Sequence, residues 1–360
     1  MEPRRIGSTL FLEEPDEWSD DSSLEFFANV IDAAAEEDTA ISTRRSVKRD
    51  RVSAAERLNR DYFGEEPRYN EQVFEDRYRM PKSLFLKITY AIEARFEYFQ
   101  EGCDARHKKS FTSIQKCASA IKQLATGNPP DEFDEYLQMA KRTSRECLQF
   151  FCDAIIQIYS RDYLRRPRSH DIACLYEAHE ARHHIPGMIG SLDCTHFDWR
   201  NCPVELRGQY KRGDHQYPTI MMEAVASQDL WIWHAFFGPP GSNNDINVVM
   251  QSPLFLTERN GTAPKCPFVV HGNTYKRGYY LCDGIYPSWS TFVKAFNFPT
   301  DPKEIKFKKL QESARKDVER VFGVLKQRWG VLRRPLRPYT VARCSKMVYA
   351  CVILHIMILH

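Results

Sequence analysis

The chain has 360 residues, 42% hydrophobic and 28% charged. That composition excludes a collagen-like, disulfide-framework or wholly disordered protein and leaves material for one large or two modest domains. The formal net charge of +3 conceals a split, because residues 1–43 hold twelve acidic residues against two basic ones and the rest of the chain therefore carries about +13. A basic body of that size points to a polyanionic partner, most simply nucleic acid, against the plainer reading of a solvated surface rich in Lys and Arg. Eleven cysteines are scattered without a C-x-x-C or a zinc-like Cys/His spacing, and they read as reduced thiols.

In chain order, residues 1–60 are expected to form a poorly ordered tail, acidic and then basic, with one apolar cluster at Leu24, Phe26 and Phe27. The basic run Arg44-Arg45-Ser46-Val47-Lys48-Arg49-Asp50-Arg51 has the composition of a nuclear import signal, so a nuclear location is expected; a solvated linker is the alternative. Residues 61–168 carry helical periodicity. Ile114, Cys117, Ala118, Ile121, Leu124 and Ala125 form one stripe, stopped by Thr126-Gly127-Asn128-Pro129-Pro130. A short segment, Asp131 to Met139, follows, and Thr143 with Glu146 is expected to box the start of the next helix. This is the outline of a small all-α, helix-turn-helix-like DNA-binding domain, with Lys141, Arg142 and Arg145 near the end that approaches DNA. An ordinary three-helix packing unit has the same outline.

Within residues 184–360 the period changes to that of strands. Gly187 to Phe197, Tyr217 to Ala226 and Leu230 to Phe237 are expected strands, the last two paired as a hairpin across Ser227-Gln228-Asp229. Gly238 to Ser242 is expected to turn, a helix to begin near Asp245, and a fourth strand to run from Tyr279 to Cys282. Asp301-Pro302 with Glu304 marks a long helix reaching about Leu332, broken once. The apolar run Met347 to Leu359 is shorter than the roughly 20 residues a bilayer crossing needs, so a buried helix and no membrane are expected.

Three strands, a helix, a strand and a late helix are the layout of an α/β, RNase H-like nuclease domain with a mixed sheet. In that layout one Asp lies on the first strand, a second at the end of the fourth, and a third carboxylate on the late helix. Asp193, Asp283 and Glu319 hold those positions, and Asp245 is a further candidate where the first helix begins. Such a set suits two divalent cations about 3.5–4 Å apart, and magnesium, or manganese in its place, prefers oxygen ligands. Each acid also has a bland reading. Asp193 can be a paired buried carboxylate, Asp283 a strand-end turn, and Glu319 a salt bridge with Arg315 or Lys326, while Glu312 and Asp317 are rivals on the same helix. His196 and His215 lie near the first strand, and their spacing demands no metal role.

The run Gly187-Met188-Ile189-Gly190-Ser191-Leu192-Asp193-Cys194-Thr195-His196 resembles the first catalytic block of PIF/Harbinger-type transposases, and Trp199-Arg200-Asn201-Cys202-Pro203 with Gly208-Gln209-Tyr210 continues it as in the plant-like branch. Pro240 to Val248 with Ser252-Pro253-Leu254-Phe255, Tyr279 to Pro287, Arg315 with Val318 to Leu325, and Ala350 to His355 are further matches in the same order. The resemblance implies a DDE-type endonuclease or transposase that cuts DNA at element ends. It implies Asp193, Asp283 and Glu319 as catalytic metal ligands and Asp245 as a fourth acid at the metal. Lys211, Arg212, Lys276 and Arg277 become candidate phosphate contacts, and a homodimer or a Myb-like accessory protein fits the family. Two features depart from it: Ile356 stands where an Asn usually follows the His, and the sequence stops at His360 where relatives carry an acidic tail. A domesticated DNA-binding protein without transposition activity, or an RNA-cleaving enzyme on the same fold, therefore stays open.

Overall fold

The computed structural model describes residues 47–103, 109–256, 260 and 266–360. The chain divides into two units, 1–48 and 49–360. Of the first, only Val47 and Lys48 are described, and neither is in a helix or strand. Leu24, Phe26, Phe27 and most of the acidic tail lie outside the described residues. The expectation of a poorly ordered segment up to residue 60 is corrected at its end. Helix α1 spans Arg51–Leu58, capped by the Asp50 carboxylate on the Ser53 amide, and buries Ala54 and Leu58. Arg49 pairs with Asp134 at 2.8 Å, so part of the basic run belongs to the folded surface.

Helices α2 (Glu71–Tyr78), α3 (Lys82–Arg95), α4 (Ser113–Thr126), α5 (Asp134–Leu137) and α6 (Lys141–Tyr163) make up the helical region. The Thr112–Gln115 pair forms a reciprocal capping box at the start of α4, and left-handed Gly127 ends it. The stripe read from the sequence is buried apart from the half-buried Ile114, and so are Ser119 and Gln123, whose side chains bond Ser144 of α6. The expected Thr143–Glu146 box is not formed. Helix α6 starts three residues earlier, with Ala140 as its cap, and Glu146 instead pairs with Arg142 one turn back at 3.0 Å. Helix α7 (Ser169–His183) occupies a stretch where the sequence suggested no element.

The sheet follows. Strand β1 is Met188–Asp198, and a four-residue helix α8 (Arg207–Tyr210) precedes β2 (Thr219–Ala226) and β3 (Ile232–Pro240). The expected turn at Gly238 begins only after Pro240, which still pairs with Ile220. Prolines are tolerated there because β3 is an edge strand. Helix α9 (Asp245–Gln251), a small hairpin of β4 (Phe268–Val270) and β5 (Asn273–Tyr275), and strands β6 (Tyr279–Leu281) and β7 (Phe292–Val293) lead into α10 (Pro302–Arg328), α11 (Gly330–Arg333) and α12 (Val341–Leu359). The main sheet has the order β3-β2-β1-β6-β7. The first three strands form an antiparallel meander, and β6 and β7 add parallel to β1.

Each face of this sheet is covered. On one side Ile220, Met222, Ala224 and Phe197 join Val318, Val321 and Leu325 of α10, residues of α12, and Ile121, Leu124 and Phe151 of α4 and α6 in a single apolar cluster. On the other, Leu192 and Val225 pack with Val249, Phe255, Tyr280 and Phe292. Helix α12 is long and apolar enough to cross a membrane by length and composition. Its residues Val348, Cys351, Val352 and Ile353 are nevertheless wholly buried in the first cluster, packed against α6 and β3.

Candidate active site at the first strand

Two hydrogen bonds set α10 against the parallel strands. The Ser191 hydroxyl donates to the Ala314 carbonyl at 2.9 Å, and the Gln311 amide donates to the Cys282 carbonyl at 3.0 Å. Both anchors sit next to an acid. Asp193 lies two residues beyond Ser191, and Asp283 directly follows Cys282. The parallel register pairs Ser191 with Leu281 and ends there, two residues short of each acid. Side chains alternate along a strand, so Asp193 shares the face of Ser191, which is the face α10 covers.

Helix α10 then presents Arg315 and Glu319, one turn apart, to this point. The Arg315 guanidinium reaches the Glu319 carboxylate at 3.1 Å and the Asp193 carboxylate at 3.8 Å. Asp193 is 19% exposed and Glu319 45%. Burial pushes the Asp193 carboxyl up to about 6; the Cys194 amide and Arg315 oppose that rise, and the negative charges of Asp245 and Glu319 add to it. Asp245 enters from the start of α9, where Asn244 caps the helix by accepting from the Asn247 amide at 2.8 Å. Burial raises its carboxyl as well, with Arg212 and the Cys194 thiol opposing and Asp283 and Glu223 reinforcing. Asp193 thus feels Asp245 and Glu319, while Asp245 feels Asp283.

Asp283 itself is exposed, and its carboxylate accepts from the Gly284 amide at 2.7 Å, a strand-end turn. The rivals on α10 are explained without a site. Asp317 is buried between His183 at 2.7 Å and Arg320 at 3.0 Å, and Glu312 lies beside Lys308. Lys326 does not pair with Glu319. Its ammonium donates to the Thr195 hydroxyl and the His196 carbonyl at 2.9 and 3.0 Å. His196 bonds Thr219 at 2.9 Å and stacks near His215, its imidazole held down to about 4 by burial and by the neighbouring His215 and Arg212. Of the candidate phosphate contacts, Lys211 folds back onto the His215 and Gln216 carbonyls, and Arg212 pairs with Asp214 at 2.9 Å. Sequence reasoning placed Arg315 only beside Glu319. Its reach to Asp193 depends on how α10 docks on β1.

The donor chemistry of the four acids suits a hard divalent ion, since every group offered is a carboxylate oxygen. Among the described residues, no three His, Cys, Asp or Glu side chains are already gathered at ligating distance. Arg315 lies between two of the acids, as a counter-cation in such a set would.

The plant transposon protein family model matches residues 161–360, and a second model, described as a domain of unknown function, matches residues 55–93. Protein ALP1-like of Arabidopsis thaliana is 20% identical over 288 residues, covering 79% of this chain and 70% of that protein. No solved structure matches.

Proposed function

Since the chain belongs to the plant transposon protein family, of PIF/Harbinger type, we propose that it is a DNA endonuclease of the DDE kind, built on an RNase H-like fold. The observation that carries this reading is the approach of four carboxylates around β1, with Asp193 pushed up to about 6 by burial and by its acidic neighbours. Acids that share one guanidinium at a half-buried point lower the stability of a fold, and such an arrangement is characteristic of sites for a cation. The antiparallel meander with two parallel strands added beside its first strand supports the fold reading.

Asp193, Asp283 and Glu319 would hold magnesium or manganese, with Asp245 as a fourth ligand or a shaper of the pocket. The ion supplies the Lewis acidity that lets water attack a phosphodiester. Arg315 balances Asp193 and Glu319 in its absence and keeps Glu319 turned toward β1. A second position of Arg315, swung off Asp193, would free that carboxylate as ligand. DNA is the expected substrate, with nuclear action and a Myb-like accessory protein or a second copy as expected circumstances.

The test is magnesium-dependent cutting of duplex DNA bearing terminal inverted repeats, run with the parent and Asp193→Asn together. Cutting by the parent alone supports the site. Equal cutting by both removes Asp193 from it. Binding without cutting by either favours a DNA-binding protein that has given up the chemistry.

A further inference from the structure

A second charged region lies at the other end of α10. A cleft of about 600 Å³ opens between the start of α6, the end of α4 and the segment joining α11 to α12. Its floor is apolar, formed by Pro130, Leu148, Val331, Pro335, Pro338 and Met347. Around it stand six cations, Arg142, Arg145, Arg334, Arg337, Arg343 and Lys346, against two acids, Glu146 and Asp153. The acids are already engaged, Glu146 by Arg142 at 3.0 Å and Asp153 by Lys346 at 2.7 Å. Arg145, Arg334, Arg337 and Arg343 have no ion pair to a described carboxylate, so the cleft keeps an excess of four positive charges.

The arrangement is built. The Arg334 guanidinium is held by the Asn128 side chain, and the Arg337 carbonyl accepts from Asn201. The α4 and α11 backbones touch, since a Cβ on Gly330 would lie 2.7 Å from the Ala125 and Thr126 carbonyl oxygens. Leu336 adds beside the end of β1, donating to the Asp198 carbonyl at 2.7 Å and accepting from the Arg200 amide at 2.9 Å. Arginines drawn from parts of the chain nearly two hundred residues apart are thus fixed around one apolar floor, with Tyr339 standing 67% exposed at the edge.

We propose that this cleft seats the sugar-phosphate backbone of the DNA on which the acid site acts, away from the bond to be cut. Four guanidiniums without an ion pair complement a polyanion, and their planar forks match phosphate oxygens; the nuclease reading makes that polyanion DNA. The apolar floor and Tyr339 accommodate a sugar or a base edge. The start of α6 adds first-turn amides to which Ala140 offers no side-chain cap. The inference rests on the nuclease reading for the identity of the polyanion, while the cleft itself stands apart from the acids.

The experiment measures binding rather than cutting. A labelled duplex of arbitrary sequence is titrated with the full chain over a range of salt, for the parent, Arg337→Gln/Arg343→Gln and Arg145→Gln. All three substituted arginines are exposed, and a melting curve checks that each variant is folded. The double variant is expected to weaken binding about tenfold or more on every sequence and to lower the salt slope by about 1.8, and Arg145→Gln by about 0.9. Unchanged affinity and slope in the folded arginine variants would overturn the proposal, as would poly-glutamate binding that these substitutions abolish and DNA does not compete away. If the arginine variants lose binding while the parent never cuts, the cleft stands and the nuclease reading fails. If the parent cuts and the arginine variants bind and cut equally well, only the cleft fails.

Discussion

The acid site and the basic cleft differ in sign and agree in construction. Around β1, four carboxylates stand near two guanidiniums, Arg315 and Arg212; around the α11–α12 segment, six cations face two acids. Neither balance suits a resting protein, since like charges held together subtract from stability. Between them, on the same helix α10, Arg328 shows the opposite solution. It donates to the buried His355 ring at 3.1 Å, and the other ring nitrogen donates to the Leu230 carbonyl at 3.0 Å. There every polar group of the imidazole is satisfied. Charge imbalance at two surface sites, beside the fully bonded His355 imidazole in the interior, is what sites for charged ligands require.

Four measurements can break or sharpen this contrast. The largest effect belongs to Asp193→Asn, which should reduce cutting by at least about a thousandfold. It should also raise the melting temperature of the metal-free protein by a few degrees at pH 7.5. The carboxyl is raised in the fold, so its ionisation weakens the protein progressively from about pH 4 to about 6, and the gain from Asn should be complete above that window and absent below it. A variant that is both inactive and less stable at neutral pH would make Asp193 a structural residue.

The interior reference comes next. Burial and Arg328 hold the His355 imidazole down to about 4, against 6.5 in the unfolded chain. A base lowered on folding contributes stability that is full above pH 6.5 and lost as pH falls toward 4, here roughly 3 kcal/mol. Urea unfolding across that range should show the slope in the parent and a flatter profile in His355→Gln.

Gly330→Ala should cost about 2 kcal/mol in the same assay, because its Cβ has nowhere to go between the Ala125 and Thr126 carbonyls. It should weaken DNA binding too, by parting the walls of the cleft. Loss of stability with intact binding would separate the cleft from the α4–α11 contact. The smallest effect is expected from Arg315→Ala. It removes the sole cation paired with Asp193 and Glu319 among the described residues and should lower metal-free stability by about 1 kcal/mol. Calorimetry should find tighter magnesium binding, whereas weaker binding would mean that Arg315 orients Glu319 as a ligand.

Much of the sheet could be read from sequence because strands and their turns are local. The alternation in Met188 to Asp198 and the short Ser227-Gln228-Asp229 link gave the meander, and Asp245 and Pro302 fell at real helix starts. Helix α7 escaped because its buried stripe is only Ile172, Leu175 and His179, and one of those is polar. Strand β7 is two residues long and has no period to detect. At α6, a Thr and a Glu three apart mimicked a cap, while the helix began ahead of them and used the Glu for Arg142. Among the candidate site residues, the elements that carry the acids followed from their order along the chain. Arg315's contact with Asp193 and the gathering of cleft arginines from α6 and the α11–α12 segment were not, because both depend on how distant helices pack.

The bridge between Leu336 and the end of β1 has one more consequence. Six residues of a single strand separate Asp193 from Trp199, the partner of Leu336. An extended chain rises about 3.3 Å per residue, which makes that span roughly 20 Å. Duplex DNA advances about 3.4 Å per nucleotide along each strand, so the same span corresponds to about six steps. If the proposed cleft holds the backbone near one end of β1 and the proposed acid site cuts at its middle, the strand would act as a gauge block, setting the offset of the cut from the grip by its own length and without reading a base.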